Sequence, residues 1–184
     1  LGGELCAPGD KILVSGTLGD HGITIMSLRE ELSFHADLQS DAAPLNGLIA
    51  DVLAAAPHVH CFRDPTRGGI ASTLNELAEQ SGVDMVIEED AVPVKDAVRG
   101  ACDMLGYDIM QVANEGKMVC VVPADEADAA LAAMRANVYG ADAAIIGDVT
   151  ATDPSRPTRV TVRTGFGSTR ILDMLVGQQL PRIC

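Results

Sequence analysis

Apolar and polar positions switch between two periods along this chain, and the switches outline its elements. Residues 9–16, GDKILVSG, form a short apolar run closed by glycine and predict a first strand. Residues 19–32 predict a turn feeding a helix, with Ile25, Leu28 and Leu32 at helical spacing and Asp20 placed as N-cap. Residues 40–56 predict a second helix, capped by Ser40 or Asp41, with Pro44 in its first turn, where a missing N–H does no harm. HVHCF, residues 58–62, reads as a short strand. Residues 68–82 read as a helix with Ile70, Leu74, Leu77 and Ala78 on one face and Gly82 as its stop. Residues 83–89 predict a strand, 92–106 a helix ended by glycine, and 116–123 a strand bounded by Pro123. An Ala-rich helix follows over 125–138, with Asp125 as cap and acidic residues in the first turn. Strands are expected at 143–149 and 159–164, joined by the loop 152–157, and a short helix near 171–176. Alternating strands and helices give an α/β or α+β class, a mixed sheet flanked by helices.

Composition narrows the function more than the fold. Hydrophobic residues make up 47% of the 184 positions, while aromatics are 3% with no Trp, so Ala, Val, Ile, Leu and Met must fill the core. The formal net charge of −13 argues against nucleic acid and against an anionic membrane surface, both of which select Lys and Arg. No apolar run approaches the ~20 residues of a spanning helix. No secretory leader pattern is present, and the first residue is Leu1, which suits a chain whose front lies elsewhere. Five scattered cysteines without a C-x-x-C pair fit neither a disulfide framework nor a zinc site, so a reducing cytoplasm is expected. Cys61 and Cys120 sit in apolar runs and read as core thiols.

Three polar, glycine-bearing stretches lie where strands hand over to helices or loops, the usual place for ligands in α/β proteins. They are SGTLGDHG (15–22), RDPTRGG (63–69) and ANEGK (113–117). In the second, Gly68 and Gly69 permit close backbone approach at a helix start, and Arg67 would add charge for an anion; against this stands a plain helix-entry turn, the commoner use of such residues. In the third, Glu115 suits a base and Lys117 an anion contact, against a solvated loop with a surface ion pair. His21 suits a ligand donor or an exposed residue beside a capped helix. His58 and His60 share a strand face without a third ligand nearby and read as structural. Neither a dinucleotide fingerprint nor a P-loop is present.

RDPTRGGIASTLNELAEQSGV, ANEGK and the terminal LPRIC, together with GDKILVSGTLGDHGI and SDAAPLNGL, resemble the HypE family of hydrogenase maturation proteins over essentially the whole chain. HypE belongs with aminoimidazole ribonucleotide synthetase, selenophosphate synthetase and thiamine-monophosphate kinase. The resemblance implies a C-terminal synthetase-like domain over 1–177 and a mobile tail over 178–184. The N-terminal ATP-binding domain would be absent from this chain, so that the chain alone would be inactive. It implies ATP-dependent dehydration of a carbamoyl group on Cys184 to a thiocyanate, for the cyanide ligands of a nickel–iron hydrogenase centre. Cys184 would be the carrier and Glu115 the base. Asp64, Thr66, Arg67, Asn114, Lys117 and His21 would line the nucleotide side, with Mg2+ held mainly by the absent domain. Expected partners are a HypF-like carbamoyltransferase, a HypC–HypD-like iron scaffold and a second copy of the full protein, with neither nucleic acid nor membrane. Two other readings stay open: another ATP-dependent synthetase or kinase, which would not need Cys184, and a non-catalytic docking module.

Overall fold

The computed structural model describes residues 1–29 and 39–174. Its frame is one mixed sheet of β1 (Lys11–Val14), β2 (Cys61–Arg63), β3 (Val83–Glu88), β4 (Val119–Val122), β5 (Ala144–Ala151), β6 (Val160–Arg163) and β7 (Thr169–Ile171). The spatial order is β2-β4-β1-β5-β3-β6-β7. β3 and β6 run parallel and the other neighbours antiparallel. The helices are α1 (Asp20–Arg29), α2 (Asn46–Ala55), α3 (Gly69–Ser81), α4 (Asp96–Leu105) and α5 (Ala127–Ala136).

The two-residue period of the strands divides the core. Ile12 and Val14 of β1, with Val119 and Val121 of β4, pack against Ile70, Leu74 and Leu77 of α3. Leu13, Cys120 and Val122 point the other way, onto Leu48 and Val52 of α2 and Ala130 and Met134 of α5. Because both faces are covered, β4 reads as an unbroken apolar run with no alternation. A bulge separates the β1–β5 pairs Ile12↔Gly147 and Leu13↔Ile145. A third cluster joins Ile23 and Met26 of α1 to Val98, Ala101 and Cys102 of α4 and to Val112. Cys6, Cys61, Cys102 and Cys120 are buried free thiols, and burial pushes the Cys120 thiol up to about 12.

Several local expectations give way to tertiary packing. In α1 the buried hydrophobic residues are Ile23 and Met26, whereas Leu28 is 72% exposed; Leu32 lies outside the described residues. Gly22 explains the rotation. Its amide donates to the Ala113 carbonyl at 3.1 Å, and a Cβ there would lie 2.5 Å from Val112 Cγ1, so the glycine side of the helix faces inward. Asp20 does not cap the helix: its carboxylate accepts from Thr17 Oγ1 and pairs with Lys95. α2 begins at Asn46, not at residue 40, because Ser40 and Asp41 are engaged by other parts of the molecule. α4 begins at Asp96, after an extended stretch. Asp125 lies in a 3-10 turn before α5 and makes no cap bond. His58 and His60 both precede β2, so they share no strand face; His58 pairs with Glu126 and His60 with Asp10. The expected last helix is absent over 171–174: Ile171 ends β7 and the next three residues are irregular.

Candidate functional site

The three polar stretches are far apart in sequence and adjacent in space. The 63–69 loop leaves β2 and enters α3 through Gly68 and Gly69, both in the left-handed region at φ 69° and 60°. A Cβ on Gly69 would lie 2.5 Å from the Met110 carbonyl oxygen and 2.6 Å from that of Val112. Only glycine lets the start of α3 press against residues 110–112. The 113–117 segment leads from there into β4, and Asn114 sits at the junction, 1% exposed. Its Oδ1 accepts the Gly19 amide at 2.7 Å. Its Nδ2 donates to the carbonyls of Pro65 at 3.2 Å and Val112 at 2.9 Å. Its own amide donates to Pro65 O at 3.2 Å.

On one side of this junction is a pocket of about 390 Å³ lined by Arg63, Asp64, Thr66, Arg67, Thr73, Glu76 and Glu115. Arg63 is bound to Glu76 at 2.7 Å, and Thr66 Oγ1 donates to Asp64 Oδ2 at 2.8 Å. Among the described residues neither Arg67 nor Glu115 has a salt-bridge partner. One unpaired guanidinium beside a hydroxyl suits a phosphate oxygen, while among the described residues no group of three or more His, Cys, Asp or Glu side chains could hold a metal ion.

On the other side is a cleft of about 340 Å³, lined among others by Thr17, Asp20, Asp41, Lys95, Lys117 and Tyr139. Both of its lysines are paired, while Asp142 has no salt-bridge partner among the described residues. Lys117 Nζ lies 2.6 Å from Asp41 Oδ2, with side chains 10% and 8% exposed. Lys95 Nζ lies 2.8 Å from Asp20 Oδ2. Gly116, at φ 54°, lets residues 41–43 lie directly on the chain, since a Cβ there would fall 2.0 Å from the Asp41 carbonyl oxygen.

The predicted site residues therefore divide. Asp64, Thr66, Arg67 and Glu115 share one pocket. Lys117 lines the other cleft, where it is paired with Asp41 and almost buried, so it is not the surface ion pair that ANEGK allowed. Asn114 lines neither cavity: its carboxamide is buried and bonded to backbone, which removes it from ligand contact. His21 bonds Ser40 Oγ at 2.8 Å and lines neither cavity. Cys184 and the 178–184 tail lie outside the described residues. Sequence reasoning missed Arg63, Thr73 and Glu76. Thr73 and Glu76 are three apart on α3 and so share a face next to the 63–69 loop, a signal that was available. Among the described residues no helix is long and apolar enough to cross a membrane.

Comparison with known proteins puts this geometry in a family. The chain is 55% identical, over its full length, to carbamoyl dehydratase HypE of Azotobacter vinelandii, covering 53% of that protein. A crystal structure of hydrogenase maturation protein HypE in complex with ATP superposes at a TM-score of 0.93 with 46% identity, covering 100% of this chain and 55% of that one. The HypE of a HypE–HypF complex superposes at 0.88 with 45% identity, covering 94% and 55%. The chain thus spans about half the length of the curated relatives it matches. Residues 7–158 match the family model described as AIR synthase related protein, C-terminal domain, and the chain belongs to that family.

Proposed function

We propose that this chain supplies the acceptor cysteine and the base for an ATP-dependent carbamoyl dehydration in hydrogenase maturation. The observation that carries the reading is the pocket holding Asp64, Thr66, Arg67 and Glu115 together, in a chain 55% identical to a carbamoyl dehydratase. A carbamoyl group arrives on the Cys184 sulfur from a HypF-like donor, giving S–C(=O)–NH2. Its oxygen is a poor leaving group, and transfer of the ATP γ-phosphoryl to that oxygen makes it one. Glu115 accepts a proton from nitrogen, phosphate departs with the former carbonyl oxygen, and S–C≡N remains. Nitrogen gives up two protons in all, and the products are ADP and phosphate. Arg67 would face phosphate oxygens and Asp64 with Thr66 would line the nucleotide side, with the Mg2+ ligands supplied mainly by the N-terminal domain of the full protein. The cyano group then passes to iron on a HypC–HypD-like scaffold.

The domain reading belongs to the same proposal: residues 1–177 form the synthetase-like unit, 178–184 carry the cysteine to its stations, and the full protein pairs with a second copy. Seven residues span at most roughly 25 Å when extended, which sets the reach of the sulfur. Covalent attachment gives the reaction its proximity without a separate binding step.

Intact mass tests the reading. After incubation with the carbamoyl donor, the full natural polypeptide gains one carbamoyl group on Cys184; MgATP then removes one water. No adduct on Cys184, or turnover undiminished in Cys184→Ala, overturns it.

A further inference from the structure

We propose that Asn114 is a positioning residue that fixes the distance between the base Glu115 and the nucleotide-facing loop 63–69, without touching the ligand. The inference rests on the reading of Glu115 and that loop given above.

The geometry is specific. Four hydrogen bonds from one residue reach three loops: Gly19 in 15–22, Pro65 in 63–69 and Val112 at the approach to 113–117. The pattern also fixes which way round the carboxamide sits, because one end faces an N–H and the other faces two carbonyls. Pro65, whose carbonyl takes both Asn114 bonds, is flanked by Asp64 and Thr66. Glu115 follows Asn114 directly, and all three flanking residues open into the same pocket. Asn114 is 1% exposed and lines neither cavity, so any influence on the reaction passes through these neighbours. Other residues fill this role poorly. Aspartate keeps the acceptor for Gly19 but sets a carboxylate against two carbonyl oxygens. Leucine leaves the Gly19 amide and the Val112 carbonyl without partners in a dry site, and Pro65 O with the backbone amide alone.

A residue that sets the spacing between base and phosphoryl donor has a kinetic signature distinct from one that binds nucleotide. Misplacement by about 1 Å costs on the order of 100-fold in the chemical step and leaves each binding contact intact. In the full natural polypeptide, Asn114→Asp is expected to lower kcat for dehydration at least about 10-fold, with KM for ATP within about 3-fold. Asn114→Ser, smaller and uncharged, is measured alongside, and both rates are taken per folded molecule below the variant's melting temperature. The Glu115→Gln background supplies the readout that loss of scaffold alone does not move. With the base gone, adding Asn114→Asp should cost less than about 2-fold further.

A rise in KM with kcat unchanged would make Asn114 a ligand contact and overturn the proposal. Losses that multiply in the double variant, or unchanged kinetics in both single variants, overturn it too. If Glu115→Gln alone keeps full kcat, the base assignment fails first. If Glu115→Gln is slow while Asn114→Asp is not, the base stands and only the positioning role falls.

Discussion

The two cavities flanking residues 113–117 hold the same kinds of side chain in a different balance of paired and unpaired charge. In the 340 Å³ cleft each lysine is tied to an aspartate, and the Lys117–Asp41 pair is nearly sealed from water. In the 390 Å³ pocket Arg67 and Glu115 face the cavity without an ionic partner among the described residues. Charges already matched inside the chain hold backbone segments together and have little left for a ligand. Charges left unmatched keep their hydration until something replaces it. Glu115 and Lys117 are two residues apart in ANEGK, yet the fold sends one to each side.

Breaking the matched side gives the largest expected effect. Lys117→Met strands a desolvated Asp41 carboxylate and should lower unfolding stability by about 4 kcal/mol in urea titrations. Adding Asp41→Leu should restore more than half of that, because removing both charges removes the penalty. A Lys117→Met cost below about 1 kcal/mol would erase the contrast between the two cavities.

On the unmatched side the expectation reverses. Glu115→Gln should slow dehydration at least about 100-fold in the full natural polypeptide. Its unfolding stability should stay within about 0.5 kcal/mol. Equal damage to stability and rate would place Glu115 with the structural charges.

An intermediate case sharpens the scale. Asp84 on β3 accepts from both terminal nitrogens of Arg156 and, at 3.0 Å, from the Arg159 amide. Burial alone would raise its carboxyl, but the Arg156 guanidinium and the Arg159 amide outweigh it and hold it below the usual carboxylate range. A depressed folded value adds stability that is complete above the unfolded value of about 3.9 and is lost as pH falls through the folded one. Arg156→Ala should cost about 2 kcal/mol at pH 7. It should also flatten the fall in stability below about pH 4; chemical denaturation at pH 7 and pH 3 checks both. The smallest effect belongs to Arg67→Ala, which should change stability by less than about 0.5 kcal/mol while weakening ATP binding by calorimetry.

Where neighbours in the chain decide an element, it was legible beforehand. Helix α3 has its expected apolar face, and Gly82 ends it in the left-handed conformation at φ 65°. Gly106 does the same for α4 at φ 72°. The 63–69 loop and Glu115 line one pocket, a placement that the motifs taken singly left open. The failures share a different cause. Asp41 looked like a helix cap, but its carboxylate is held by a lysine 76 positions on. The spacing of Ile25, Leu28 and Leu32 was helical, but so is that of Ile23 and Met26, and contact with Val112 and Ala113 chose between them.

By itself, then, the sequence determined the alternation of strands and helices, their glycine stops and the polar loops that carry the chemistry. These depend on backbone preferences and side-chain periods within a few residues. Only the tertiary structure decided which charges would be neutralised, which face α1 buries, and that Asn114 ties the loops together. Those outcomes depend on groups up to 95 positions apart, and the cost of burying a polar group is set by whatever the fold places beside it.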